Sequence, residues 1–545
     1  MRRLVLSVVM LTLGAGLFAA AAHDSEAGSA VRNGGTFRIS FQQGRVDSVD
    51  PALSYGVEEW SLLDATCARL MAYPDRPPPQ GFGLVPEVAA ALPRVSRDGR
   101  TYTFAIRPGF RFSNGTPVRA SAFARQINRL LAPSVASPGL RYAEEIVGSD
   151  AVRAGRRATA AGVVARGNRL VVRLERPVPD FPAWTTMPFF CAVPPNLPVE
   201  PEGRATLPGA GPYYVAEHLR GRRIVLRENR FYGGTRPHRV DRFFVDLQAG
   251  SPEQILDRVE RGEYDWGYAT APIYFARGRD LLAKYGRNRS RFFVQPGFVL
   301  RMLVFNSSRP LFRNNAGLRR AVNFALDRRA LGEAASGALA ERPTDQYLPP
   351  FVPGFRNANI YPLDRPNLRR ARALARGNLR GGKAVMYVPN FPPPLALAQL
   401  ARRQLARIGL DVELRPVPIH ITNPLYSGRL AAPGEPWDIA LALWTPDIVD
   451  PYAYLNRLFD GRFVRDTNLA RFSVPKYNRS LRKAARLGGR ERYRTYGRLD
   501  VQLARDAAPV AAIGFFNEAT LVSRRVDRRC IVLRPTLDLT AVCLK

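Results

Sequence analysis

Lysine is the first absence. Among 81 basic residues only five are Lys (Lys284, Lys383, Lys476, Lys483 and Lys545), and Arg supplies the rest. Histidine is nearly as scarce: His23, His218, His238 and His420 are scattered. None belongs to an HExxH pair and no GxSxG leads into a helical pattern, so zinc-peptidase and hydrolase mechanisms find no residues to run on. His420 reads as a structural or surface residue. The four Cys show no CxxC spacing and no neighbouring His, which removes finger-type metal sites and thiol redox catalysis. There is no heptad pattern and no short repeat. Beyond residue 22 no apolar run is long enough to span a membrane. Neither a metal nor another cofactor is expected, and an enzyme is not.

The composition otherwise fits a large globular protein. Hydrophobic residues make up 46% and aromatics 10% of 545 residues, too long a chain for one core and enough for two or more lobes. The 46 Pro and 44 Gly point to many turns. Against 46 Asp and Glu, the basic residues leave a net charge of +35. Such a charge suits an anionic partner, a polyanion or an acidic surface. The Arg residues are spread through every segment, however, without the basic block that a nucleic-acid binder concentrates on one element. Arg-rich codon usage accounts for that spread without a partner.

The first residues give an address. Met1-Arg2-Arg3 is followed by an apolar stretch from Leu4 to Ala22 that ends in four Ala, and then by polar His23-Asp24-Ser25-Glu26. This is the pattern of a secretory signal peptide, residues 1–22, cut after Ala22. An uncleaved anchor is the alternative, because the stretch approaches the ~20 residues needed to span a bilayer. No Cys follows it for a lipid anchor, and residues 23–33 read as a flexible leader. Export to the periplasm or the outer face of the cytoplasmic membrane is expected, and export permits disulfides. Cys530 and Cys543 flank a short extended segment and form the first candidate bridge; Cys67 and Cys191 are the second. Free buried thiols are the alternative.

Along the chain, short strands alternate with helices. Gly34 to Ser40 reads as a strand leading to an Asp50-Pro51 turn. Tyr102, Phe104 and Ile106 alternate, as do Phe110 and Phe112, so both runs are expected as half-buried strands. Ser121 is placed to cap a helix whose Phe123, Ile127 and Leu130 share a face. Residues 207–232 read as a hairpin turned at Arg220-Gly221-Arg222. Ser251-Pro252-Glu253-Gln254 opens a helix with Pro in its first turn, and Tyr264-Asp265-Trp266 starts a strand. Phe298 to Phe305 is an apolar strand, and Leu318, Val322 and Ala325 mark a helix. Leu397, Ala401, Leu405 and Ile408 form a helical face stopped by Gly409, followed at once by the strand Asp411–Val417. Trp437 to Trp444 is a strand ending in the polar loop Thr445-Pro446-Asp447-Ile448-Val449-Asp450-Pro451, and Ala511 to Phe516 is a late strand. The grammar is α/β.

Several of these segments, in this order, resemble the peptide-type (family 5) extracellular solute-binding proteins of ABC importers. The most specific is Asp98 to Val118 (DGRTYTFAIRPGFRFSNGTPV). Leu84 to Ala89, Gly209-Ala210-Gly211-Pro212-Tyr213, Gly262-Glu263-Tyr264-Asp265, Arg319 to Asp327, Ile408-Gly409-Leu410 and Asp447 to Pro451 support it. The family usually has Thr where Ala210 stands. The resemblance runs from about Gly34 to Asn517 and implies a two-lobed periplasmic-binding-protein type II fold with an extra subdomain in the first lobe. Lobe I is expected from residues 31–295 plus 511–545 and lobe II from 296–510. Crossover strands near Phe298–Asn306 and Ala511–Phe516 would form the hinge, with ligand enclosed between the lobes.

In peptide-binding members of that family an Asp after the Trp-bearing strand pairs with the ligand's α-amino group. By position this is Asp447, and a buried ammonium does require such a partner. Capping of a turn or helix is the other role open to Asp447. Asp450 reads as a structural Asp-Pro turn residue. Trp444 either stacks on ligand or closes the lobe core; Thr445 and Tyr55 are further candidates for the cleft. Dipeptide-specific relatives place a carboxylate-binding Arg near the start of the helix that ends at Gly409. Here Tyr387 to Pro394 contains no Arg, so Asn390 and Phe391 are the candidates in its place. Longer peptides or a non-peptide solute fit this departure better than a dipeptide. The expected partners are a small ligand and membrane permease subunits, with the protein monomeric and nucleic acid not a partner. A sensor or chaperone of the same fold and a polyanion-binding exported protein are the competing readings.

Overall fold

The computed structural model describes residues 32–545, apart from 75, 77–79, 201–205, 270–275, 338, 340, 419–424 and 534–535. The expected signal peptide, nearly all of the leader and His420 lie outside the described residues. Three larger sheets organise the chain. A five-stranded sheet has the order Trp266–Gly267, Thr36–Gln42, Arg242–Ala249, Arg223–Glu228, Tyr213–Leu219. A four-stranded antiparallel sheet orders Arg94–Val95, Thr101–Ala105, Arg169–Arg173 and Val163–Arg166. A six-stranded sheet orders Glu341–Pro343, Val510–Leu521, Phe292–Phe305, Ile439–Trp444, Lys383–Pro389 and Asp411–Val417.

Two of these strands join the halves of the molecule. Phe292–Phe305 pairs antiparallel with Val510–Leu521 from Phe292↔Leu521 to Val304↔Val510, with the register shifted between Pro296 and Leu300 and again between Arg301 and Met302. At one end Phe293 packs in the core of the five-stranded sheet. At the other, Leu300, Met302 and Leu303 belong to the cores on the two faces of the six-stranded sheet. The chain therefore forms two lobes, and the four-stranded sheet carries a further core of its own on the first. Both connecting strands are longer than the apolar runs that announce them.

Local chemistry explains the elements. Ser251 closes a capping box: its side chain accepts from Gln254 N, while Gln254 Oε1 accepts from Ser251 N. On the helix Ala120–Leu131, Phe123, Ile127, Leu130 and Leu131 are all buried. The expected Ser121 cap is not made; Arg119 is the N-cap residue and no side chain caps the helix. Phe110 and Phe112 are buried with Arg111 exposed between them. They form no ladder strand, because the neighbouring chain offers only the bridge Arg111↔Pro117. The strand read at Tyr264 shortens to Trp266–Gly267. In the Gly209 to Tyr213 segment, a Cβ on Gly211 would stand 2.6 Å from the Thr66 carbonyl carbon and 2.7 Å from the Ala65 and Cys67 oxygens, so backbone meets backbone there.

Much of the arginine is structural. Arg328 is fully buried and donates to the carbonyls of Thr344, Ala512, Asn323 and Pro362 and to Asn323 Oδ1, tying a helix start to the central sheet. Burial pulls its guanidinium down to about 10. Arg319 similarly donates to Ala507 O and Phe312 O. Both expected disulfides are present, Cys530–Cys543 and Cys67–Cys191. Among the described residues no helix is long and apolar enough to cross a membrane.

Candidate functional site

A cavity of about 640 Å³ opens between the lobes. The first lobe contributes Gly44, Arg45 and Asp47, residues 55–61, Asp64, Arg69, Thr186 to Pro188 and Thr536 to Asp538; the second contributes Phe298 and residues 445–449. The lobes also touch around it. Ile448 and Ala453 sit in the same apolar cluster as the subdomain, and Phe82 stacks on Phe351 at 4.7 Å between ring centroids.

The first-lobe wall is built on one rigid loop. Glu59 accepts hydrogen bonds from the backbone N–H groups of Asp47 (2.9 Å), Ser48 (3.1 Å) and Tyr55 (2.7 Å). Burial pushes its carboxyl up, against the effect of those donors. Asp50 is anchored from below by Arg129, and Trp60 donates its indole N–H to Ser54 O at 3.0 Å. The loop thus presents Tyr55, 45% exposed, above an aromatic floor in which Tyr55, Trp60 and Phe189 lie 5.6–5.8 Å apart. Acidic lining groups carry partners: Glu58 with Arg45 at 2.8 Å and Asp64 with Arg69 at 2.6 Å.

Asp447 faces this wall from the other lobe. Its Oδ1 accepts from the Tyr55 hydroxyl at 2.6 Å; its Oδ2 accepts from the Tyr142 hydroxyl and, at 3.3 Å, from Arg141 Nη2. Burial first, then the adjacent carboxylate, raise both phenols well above their ordinary value. Burial works against the Arg141 charge, but Tyr142, Tyr55 and Asp447 outweigh it and hold the guanidinium protonated. Asp450, by contrast, is structural as expected: it caps the helix Pro451–Phe459 and takes two hydrogen bonds from Arg492.

Three sequence candidates meet here: Tyr55, Thr445 and Asp447 all line the cavity. Trp444 stands apart. It is half-buried against the second-lobe core, and its indole N–H donates to Ala453 O at 2.9 Å. Asn390 and Phe391 are not brought to the cavity; they precede the helix Pro392–Ala406, with Asn390 N bonded to Val417 O. Sequence reading missed Arg141, Tyr142 and the Glu59 scaffold, since nothing in their local pattern separates them from ordinary surface positions. The arrangement holds cations and aromatic contacts, and among the described residues no group of three metal-ligating side chains gathers.

A two-lobed α/β molecule with a polar and aromatic cleft is the architecture of a solute-binding protein. The chain belongs to the bacterial extracellular solute-binding proteins, family 5, whose middle-region profile matches residues 83–464. It is 25% identical over 545 residues to the periplasmic oligopeptide-binding protein OppA of Escherichia coli (strain K12), covering 95% of this chain and 93% of that protein. It is 24% identical over 441 residues to OppA of Salmonella typhimurium, covering 77% and 78%. Among solved structures, the clavulanic acid biosynthesis oligopeptide binding protein 2 superposes with a TM-score of 0.83 at 23% identity, over 94% of this chain and 96% of that one. Haemophilus influenzae OppA, in complex with RPPGFSPFR, gives 0.67 at 20% identity, over 94% and 100%.

Proposed function

We propose that this protein is the exported solute-binding subunit of an ABC importer, capturing peptides or related amine-bearing solutes between its lobes and presenting them to a membrane permease. The observation that carries the reading is the cavity between the lobes, walled by Tyr55 on one side and by Thr445 and Asp447 on the other. Family membership and relatives named as oligopeptide-binding proteins support peptide as the ligand class. Asp447 is the group that pairs with the ligand's ammonium. Tyr55 and Thr445 contact ligand, and Trp444 serves the lobe core. Asn390 and Phe391, outside the cavity, have no part in this proposal. Lobe I comprises residues 31–295 and 511–545, lobe II residues 296–510. The hinge lies at the wider of the two register breaks between the connecting strands, between Pro296 and Leu300. Ligand favours the closed state because it contacts both lobes only there, and closure is what the permease reads. The protein works without catalysis, as a monomer.

The test is to express residues 31–545, purify without refolding, and identify co-purified small molecules by mass spectrometry for wild type and Asp447→Ala. Peptides in the wild type, lost in the variant, are expected. Peptides kept by the variant would refute Asp447 as the anchor while leaving the ligand class intact. A sugar or metal chelate in place of peptides would overturn the peptide reading.

A further inference from the structure

The group beside Asp447 has the composition of a cation cage, and its occupant belongs to the chain itself. The Arg141 guanidinium lies 5.2 Å from the Tyr55 ring centroid and 5.1 Å from that of Tyr142. Two aromatic rings and a carboxylate are the elements that hold an organic cation. The contact of Arg141 with Asp447 itself is nevertheless loose. Arg141 reaches Asp447 through a single N–H at 3.3 Å, where charge-assisted pairs run at about 2.7–2.9 Å. Its Nη2 also donates to the Tyr55 hydroxyl, and its side chain remains 34% exposed. The structural pairs of this protein look different. Arg129 grips Asp50 with two bonds at 2.6 and 3.0 Å and Arg492 grips Asp450 with two at 2.7 and 2.8 Å, each as a fork and each buried. Arg141 comes from the subdomain side of the cleft and Asp447 from the opposite lobe, where Asp447 lines the cavity between them.

We propose that Arg141 is a tethered competitor and specificity-determining residue: it fills the cation cage at Asp447 in the free protein, and a ligand's ammonium binds by displacing it. This rests on the peptide-binding reading above. The displaced guanidinium gives up its long bond to Asp447 and its bond to the Tyr55 hydroxyl and swings toward solvent, to which it is already open. The incoming ammonium brings three donors on a compact head to a carboxylate that the Tyr55 and Tyr142 hydroxyls still orient. A ligand without a free amine has nothing to offer Asp447 in exchange for Arg141. The pair therefore discriminates by ligand charge, at the cost of weaker binding for every amine-bearing ligand.

The experiment compares wild type, Arg141→Gln and Arg141→Lys by titration calorimetry. The probes are an equimolar pool of tri- and tetrapeptides with free N-termini and the same pool N-acetylated. In Arg141→Gln the free-amine pool should bind about tenfold tighter, a factor corresponding to one modest charge interaction, while the acetylated pool changes little. Arg141→Lys, which keeps a cation in the cage, should stay near wild type. Equal changes for both pools, weaker binding of the free-amine pool in Arg141→Gln, or a Lys variant behaving like the Gln variant would overturn the role of Arg141. Failure of wild type and both variants to bind either pool would instead overturn the peptide reading, and the inference with it.

Discussion

Arg129 Nη2 meets Asp50 Oδ2 at 2.6 Å and Nη1 meets Oδ1 at 3.0 Å, with both side chains closed off from solvent. Asp50 Oδ1 also accepts the Ala52 N–H, and Arg129 is held by Gln126 as well. The pair bolts the loop bearing Tyr55 to the helix Ala120–Leu131, and so couples the subdomain to the cleft wall. Removing one partner strands the other charge in a dry site. Arg129→Met should therefore lower unfolding free energy by about 3–5 kcal/mol, measured by urea denaturation. The double change Asp50→Leu with Arg129→Met should recover part of the loss, because no charge is then left unpaired. A single variant within 1 kcal/mol of wild type would show that the site takes up water.

The two disulfides close loops of very different size, with sequence separations of 13 for Cys530–Cys543 and 124 for Cys67–Cys191. Cross-links act largely by restricting the unfolded chain, with about 3 kcal/mol for a 15-residue loop and about 4.7 for a 100-residue loop. Replacing both members of the Cys67–Cys191 pair by Ser should cost more stability than the same change at Cys530–Cys543. Cys67 and Cys191 also share a small apolar cluster with Leu63, which adds to the difference. Thermal unfolding of the two double variants under non-reducing conditions checks the order, and a reversed order would refute the loop-length argument.

How much of this was legible in the sequence follows from the range of the interactions. Elements set by neighbours read well. The alternation of Tyr102 and Phe104, the helix start at Ser251-Pro252-Glu253-Gln254 and the helical face of Leu397, Ala401 and Leu405 all became what their patterns imply, since the signal and the structure share a short range. Phe110 and Phe112 show the limit: they alternate as a strand would, yet the chain beside them pairs only over the short turn to Thr116–Val118, through the single bridge Arg111↔Pro117, and no ladder forms. Asp447, Tyr55 and Thr445 were named as candidates through resemblance and their place in loops after strands, and all three line the cavity. Arg141 and Tyr142 were not, because their meaning comes from a contact across 306 and 305 positions. Trp444 had two readings from sequence, and its hydrogen bond to Ala453 favours the lobe core.

Asp180 makes the stability of the assembled lobes depend on pH. It is the N-cap of the helix Phe181–Trp184, is buried, and belongs to the subdomain side of the cleft. Burial first, then the Asp450 carboxylate of the opposite lobe, push its carboxyl up to about 6, against the partial relief given by Arg492. Arg176 and the phenols of Tyr102, Tyr452 and Tyr496 complete the charged and titratable groups that act on it. The sign follows from proton counting. An unfolded Asp titrates near 3.9, so between about pH 4 and 6 the folded protein binds more protons than the unfolded chain, and stability falls as pH rises through that window. Above about pH 6 the full penalty of the buried charge is present. Asp180→Asn is close to isosteric and removes the charge, and the Asp180 side chain makes no capping hydrogen bond that the change could lose. It should gain on the order of 2 kcal/mol at pH 7 and progressively less toward pH 4. Asp500, pushed up to about 7 by burial, slopes the same way in both proteins, so the difference between variant and wild type is the quantity to read. Unfolding midpoints at pH 4.5, 5.5, 6.5 and 7.5 give that difference. If it is the same at all four, the Asp180 carboxyl is not raised in the folded protein and its titration is refuted as the source of the slope.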